Sequence, residues 1–119
     1  MRHATQYQLI EVARVTALCQ RYPRVITRLF TASEVCYCEK HRRNPFQYYA
    51  ARLAAKLAAR KLLGQGRLAE IEVFHGPLGR PLLDLHGKAA QAAEGKILMV
   101  SLSHEGDHAA AIVSVECVQ

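Results

Sequence analysis

Residues 46–63 read FQYYAARLAAKLAARKLL, with alanine at 50, 51, 54, 55, 58 and 59. Alanine gives up no side-chain rotamer freedom on entering a helix and heads the helix-propensity ranking, so this stretch predicts a long α-helix. Gly64 and Gly66 follow at once and supply the residue type that tolerates the left-handed turn closing a helix. Leu53 and Leu57 share a line with Ala50, Ala54 and Ala58, expected to face the core. Tyr48 and Tyr49 are expected to pack beside them, with flanking of a ligand as the alternative.

Upstream, Phe30-Thr31-Ala32-Ser33-Glu34 predicts a second helix start. Thr31 is the N-cap, Glu34 three positions on completes a capping box, and Phe30 staples the entry. Asn44-Pro45 should stop that helix near Arg43. Leu9 to Cys19 carries Leu9, Val12, Val15, Ala17 and Leu18 on one side and predicts a helix ending near Arg21, ahead of Pro23. Downstream, Glu70 to Phe74 alternates as a strand. His75-Gly76-Pro77-Leu78-Gly79 turns, and Pro81 to Leu85 pairs back as a hairpin. A short helix is expected over Gly87 to Glu94, then strands over Ile97 to Ser103 and Ala109 to Val118. Helices first and strands last predict an α+β fold, one domain over residues 1–119.

A chain of 119 residues, 50% of them hydrophobic, has the length of one domain with a real core. No run approaches the roughly 18 apolar residues of a membrane span. The start, MRHATQYQLIEVARV, has no apolar core before Glu11 of the kind a secretory signal needs. A cytoplasmic protein is therefore expected, with no membrane partner. The four cysteines, Cys19, Cys36, Cys38 and Cys117, lack zinc-ligand spacing and are expected to be reduced and mostly buried.

Sixteen Lys and Arg against ten Asp and Glu give a net charge of +6, which favours an anionic partner. Between Glu39 and Glu70 no acid occurs, yet eight Lys and Arg do. Arg52, Lys56 and Arg60 recur at i, i+4 and i+8 along the long helix, with Lys61 beside Arg60. Two explanations stand open: a solvated face with snorkelling side chains, or a surface for an anion such as a pyrophosphate. Nucleic acid is not favoured, because the stripe has no interleaved aromatics and no DNA- or RNA-binding motif accompanies it. Ser101-Leu102-Ser103-His104 leaves a strand into a turn. Its two hydroxyls share a face, and its histidine is a candidate general base or phosphate ligand, the alternative being a capping serine and a surface histidine.

Taken together, these segments resemble the holo-[acyl-carrier-protein] synthases, the small trimeric 4′-phosphopantetheinyl transferases. Leu9-Ile10-Glu11-Val12-Ala13-Arg14-Val15 resembles the family's first-helix start. Phe30-Thr31, Glu34 and Tyr37-Cys38 resemble its second. Tyr48 to Ala58 is similar to the signature Y-x-A-x-R-(aromatic)-A-A-K-E-A, with Lys61 at the family's spacing. Gly79-Arg80-Pro81 fits the hairpin, and Val100-Ser101-Leu102-Ser103-His104 with Ala109-Ala110-Ala111 fits the closing strand pair.

The resemblance implies a trimer with sites between subunits, and transfer of phosphopantetheine from coenzyme A to a serine of apo acyl carrier protein. It implies that His104 and Lys61 act in catalysis, and that Arg52, Lys56, Lys61 and Ser103 bind the coenzyme. Arg14, Arg21 and Arg24 would meet the acidic carrier protein. It also implies a divalent metal, usually Mg²⁺, held by two carboxylates, and those positions carry Gln8 and Leu57 here. Mg²⁺ is a hard cation that takes oxygen ligands. Gln8 offers one neutral amide oxygen and Leu57 none, so loss of the metal site is expected. Such a chain would bind or assemble with acyl carrier protein, coenzyme A or an active paralogue in fatty-acid or polyketide biosynthesis. The alternative is a working transferase with an altered site, for which Glu11, Glu105 and Asp107 are the candidate substitute carboxylates.

Overall fold

In the computed structural model, which describes residues 3–118, the elements run β1 (His3–Glu11), α1 (Val12–Arg21), α2 (Val25–Leu29), α3 (Ala32–Glu39) and α4 (Pro45–Leu63), then β2 (Ile71–His75), β3 (Pro81–Leu85), α5 (Gly87–Ala92), β4 (Lys96–Glu105) and β5 (His108–Cys117). The alanine-rich stretch is α4. Pro45 occupies its first turn, where the missing N–H has no partner to lose, and Gly64 closes it at φ +80°. All six of its alanines are buried. Having nothing beyond Cβ, they let α4 lie close against an antiparallel sheet ordered β1-β5-β4. Ala109 packs with Ala50 and Leu53, Ala111 with Ala54 and Ala55, and Val113 with Ala58 and Ala59. The fold is α+β, as the sequence predicts. Strands β2 and β3 form a separate hairpin in which Glu72 faces Asp84.

The N-terminal region differs from expectation. Residues His3–Glu11 form a strand paired to β5 from His3↔Glu116 to Glu11↔His108, and α1 begins only at Val12. The strand escapes pattern reading because its apolar Tyr7 and Leu9 face outward while Gln6 and Gln8 face the helix layer, half-buried. Helix α2 was not expected either. Helix α3 stops at Glu39 instead of near Arg43, and the chain leaves it in turns closed by His41 N–H to the Cys38 carbonyl and Asn44 N–H to the His41 carbonyl. The capping box at its start is present: Thr31 Oγ1 accepts from Glu34 N–H, and Glu34 Oε1 accepts from Thr31 N–H at 2.8 Å. His104 and Glu105 prolong β4, leaving a two-residue turn at Gly106-Asp107.

The outer face of the three-stranded sheet carries a group of apolar side chains. Tyr7, Leu9, Ile97, Met99 and Ile112 are all exposed there, and Tyr7 pairs directly with Ile112. All four cysteines are free, but only Cys19 and Cys38 are buried; Cys36 is exposed. No helix among the described residues is long and apolar enough to cross a membrane.

Candidate functional site

The basic stripe of α4 is not a surface. Arg52 is 2% exposed and Lys56 is 0% exposed. The Lys56 ammonium donates to the Leu29 carbonyl at 2.8 Å and the Leu68 carbonyl at 3.1 Å, and it pairs with Glu34. Those three acceptors use all three of its donors. Burial pulls the Lys56 pKa down, and the Glu34 carboxylate opposes that shift. Both sequence-based explanations therefore fail at Lys56, which is neither solvated nor presented to a coenzyme. Its neutralising acid comes from α3, outside the acid-free stretch. Arg60 also serves the fold, donating from Nε to the Gly66 carbonyl at 2.7 Å. Lys61 is exposed at the end of α4. It lies nine residues, or about 13 Å of helix rise, beyond Arg52.

Arg52 and His104 do converge. Both line a cavity of about 220 Å³ with Tyr37, Tyr48, His75 and Leu102. The Arg52 guanidinium lies over the Tyr37 ring at 4.0 Å, and its Nη2 meets His75 Nδ1 at 3.2 Å. Arg52 Nε is buried without a hydrogen-bond partner. Tyr37 stacks on His75 with centroids 4.7 Å apart, His41 stacks on Tyr48 at 3.7 Å, and His104 meets Tyr48 edge-on at 5.1 Å. A buried guanidinium with a free N–H beside imidazole rings suits a phosphate-like anion in charge and hydrogen bonding.

Sequence reasoning missed Tyr37, His41 and His75 as members of this cluster. They come from α3, the turn after it and the end of β2, and no single-segment spacing joins them. Ser103 lies on the other face of the sheet: Ser101 and Ser103 are exposed on the apolar outer side, opposite Leu102. Arg14, Arg21 and Arg24 are all exposed on α1 and the turn that follows. Arg21 is held against the ring of Tyr22 at 5.4 Å, and Arg14 reaches Glu11 at 3.9 Å.

The positions that the resemblance gives to metal ligands do not fit a hard divalent cation. Leu57 packs against the core cluster that contains Val15 and Leu53. Gln8 lines a cavity of about 340 Å³ with Glu11, Arg14, Leu53 and His108. Among the described residues, the one group of three His, Cys, Asp or Glu side chains close enough to share an ion is Glu72, Asp84 and His86 on the β2–β3 hairpin. Glu11, Glu105 and Asp107 form no such group with each other.

No family model matches the chain. The holo-[acyl-carrier-protein] synthase of Syntrophus aciditrophicus is 38% identical over 125 residues, spanning 98% of this chain and 97% of that protein. The crystal structure of the holo-[acyl-carrier-protein] synthase from Neisseria meningitidis superposes with a TM-score of 0.84 at 25% identity, covering 94% of this chain and 96% of that one. The Helicobacter pylori enzyme, solved in complex with coenzyme A, superposes with a TM-score of 0.82 at 23% identity, covering 95% of this chain and 100% of that one.

Proposed function

This chain belongs to the holo-[acyl-carrier-protein] synthase family, and from that premise we propose that it binds coenzyme A and acyl carrier protein, or assembles with an active paralogue, without metal-dependent phosphopantetheine transfer. The observation that carries this reading is the pair Gln8 and Leu57 at the positions to which the resemblance gives carboxylates. Leu57 is half-buried and packs against the core, and an apolar side chain there disfavours a hydrated ion. Transfer at a pyrophosphate builds negative charge on the leaving side, and the metal normally stabilises it.

Coenzyme A binding is supported by the Arg52 cavity, whose guanidinium keeps one buried N–H without a partner. In this reading Arg52 takes a phosphate of the coenzyme, and His104 forms the far wall. Lys56 leaves the coenzyme-binding set and holds α4 to α3. Lys61, on the same line of α4 as Leu53 and Leu57, offers a second, solvated cation. Arg14, Arg21 and Arg24 present positive charge to an acidic carrier protein of fatty-acid or polyketide biosynthesis in the cytoplasm. The apolar side chains of the outer sheet face support a trimer, since Tyr7, Leu9, Met99 and Ile112 are exposed together there and clustered exposed apolar residues mark association surfaces. In that trimer Ser103, on the same face, lies at a subunit boundary.

A working transferase is the second reading. It is favoured by relatives that are named as synthases along their full length and by His104 opening to the same cavity as Arg52. There His104 would take the proton from the carrier serine.

Calorimetric titration of coenzyme A, with EDTA and then with Mg²⁺, tests the metal-free site. The expected result is saturable binding with the same Kd in both. Binding that appears only with Mg²⁺ would overturn it.

A further inference from the structure

Arginine has donors only, so the contact between Arg52 Nη2 and His75 Nδ1 at 3.2 Å requires an unprotonated Nδ1. Neutral His75 must then carry its proton on Nε2. We propose that His75 is a positioning residue: its Nδ1 holds the Arg52 guanidinium against the wall of the cavity shared with His104, with the unpartnered Nε left to take an anionic ligand. This rests on the reading above, in which that ligand is a phosphate of coenzyme A.

Three features support the assignment. Tyr37 fixes both partners at once, lying under the guanidinium at 4.0 Å and stacked on the imidazole at 4.7 Å with an interplanar angle of 17°. A stacked ring cannot turn freely, so Nδ1 stays aimed at Arg52. Next, the groups around His75 are cationic or neutral: Arg52 from α4, Tyr37 from α3 with Lys40 over it at 4.8 Å, and His104 across the cavity. None of those is a carboxylate that would favour the imidazolium. Burial, then the charges of Arg52 and Lys40, accordingly push the His75 pKa below its ordinary value. Finally, a buried arginine free to choose rotamers would lose the orientation on which bidentate anion binding depends.

The test uses the intact protein, His75→Leu, which removes the acceptor, and His75→Asn, which restores one that does not titrate. Nitrogen-15 NMR of the wild type should show His75 as the Nε2–H tautomer, and Arg52 side-chain resonances that shift with the same midpoint as the His75 ring. With coenzyme A as probe, His75→Leu should raise Kd about tenfold, and His75→Asn should return it to within about threefold of wild type. Thermal midpoints of both variants identify any loss that comes from unfolding. Arg52 resonances that stay fixed through the His75 titration would overturn the proposal, and so would wild-type affinity in a folded His75→Leu. If coenzyme A fails to bind the wild type, the functional reading fails. The Arg52 resonances then still decide the role of His75.

Discussion

Glu34 and Lys56 form an ion pair in which neither side chain has any exposure to solvent. Glu34 does three things at once: it closes the capping box of α3, accepts from Val73 N–H at 2.8 Å and neutralises Lys56. One carboxylate thus ties α3, α4 and the β2–β3 hairpin together. Replacing both members of such a pair by apolar residues can be neutral, but removing one leaves an uncompensated buried charge or its empty partners. Lys56→Met should therefore cost about 3–5 kcal/mol of unfolding free energy, measured by urea denaturation. A loss below about 1 kcal/mol would mean that water reaches Glu34, contrary to the structure.

Alkaline stability follows from buried acids. Burial pushes the Cys38 thiol up to about 12 from 9.0, and it raises Cys19 and Tyr49 as well, the latter helped by its 2.7 Å hydrogen bond to Glu39. A raised native pKa means that the folded chain keeps protons which the unfolded chain has lost. Stability from these groups is then intact below pH 9 and falls as pH rises toward 12. Lys56, with its lowered pKa, acts with the opposite sign but as one group against three. Urea midpoints should fall between pH 9 and 11, and the slope should be shallower in Cys38→Ala. A flat wild-type profile would contradict the burial of these groups.

Association through the outer sheet face is tested at its centre. Ile112 lies on the middle strand, beside Tyr7 and across from Ser101. A lysine there places a charge in the apolar patch without touching the α4 side of the sheet. Light scattering should give three times the 13.3 kDa chain mass for wild type and a smaller species for Ile112→Lys, with unchanged circular dichroism. A monomeric wild type would exclude the trimer.

Leu78 is the one non-glycine residue at positive φ among the described residues, at +64°, and it is 99% exposed. The left-handed region costs a branched side chain roughly 1–2 kcal/mol, and no packing offsets it here. Leu78→Asn, a residue that tolerates this conformation, should raise the thermal midpoint by about 3–5 °C. An unchanged or lower midpoint would show that the turn is not strained.

What the sequence disclosed was what local chemistry decides. The alanines of α4, the Thr31–Glu34 box and the β2–β3 hairpin each depend on neighbours within one segment, and each was legible. Strand β1 was not, because Tyr7 and Leu9 point away from the chain's own core while Gln6 and Gln8 face it. Lys56 was misread for a related reason. Its stripe looks unneutralised along α4, but Glu34 reaches it from α3, and no spacing rule links the two. Of the catalytic and coenzyme-binding residues expected, Arg52 and His104 share a cavity, while Lys61 and Ser103 lie elsewhere. His75 completes the Arg52 site from a strand end whose pattern says only that it borders a turn.

Gln8 and Leu57 leave the most direct question. Intact-mass spectrometry of apo acyl carrier protein, incubated with this protein, coenzyme A and Mg²⁺ beside an active synthase, answers it. The account predicts an unchanged carrier mass while the control converts fully. A gain of one phosphopantetheine on the carrier would contradict it and establish a transferase that works with Gln8 and Leu57 at those positions.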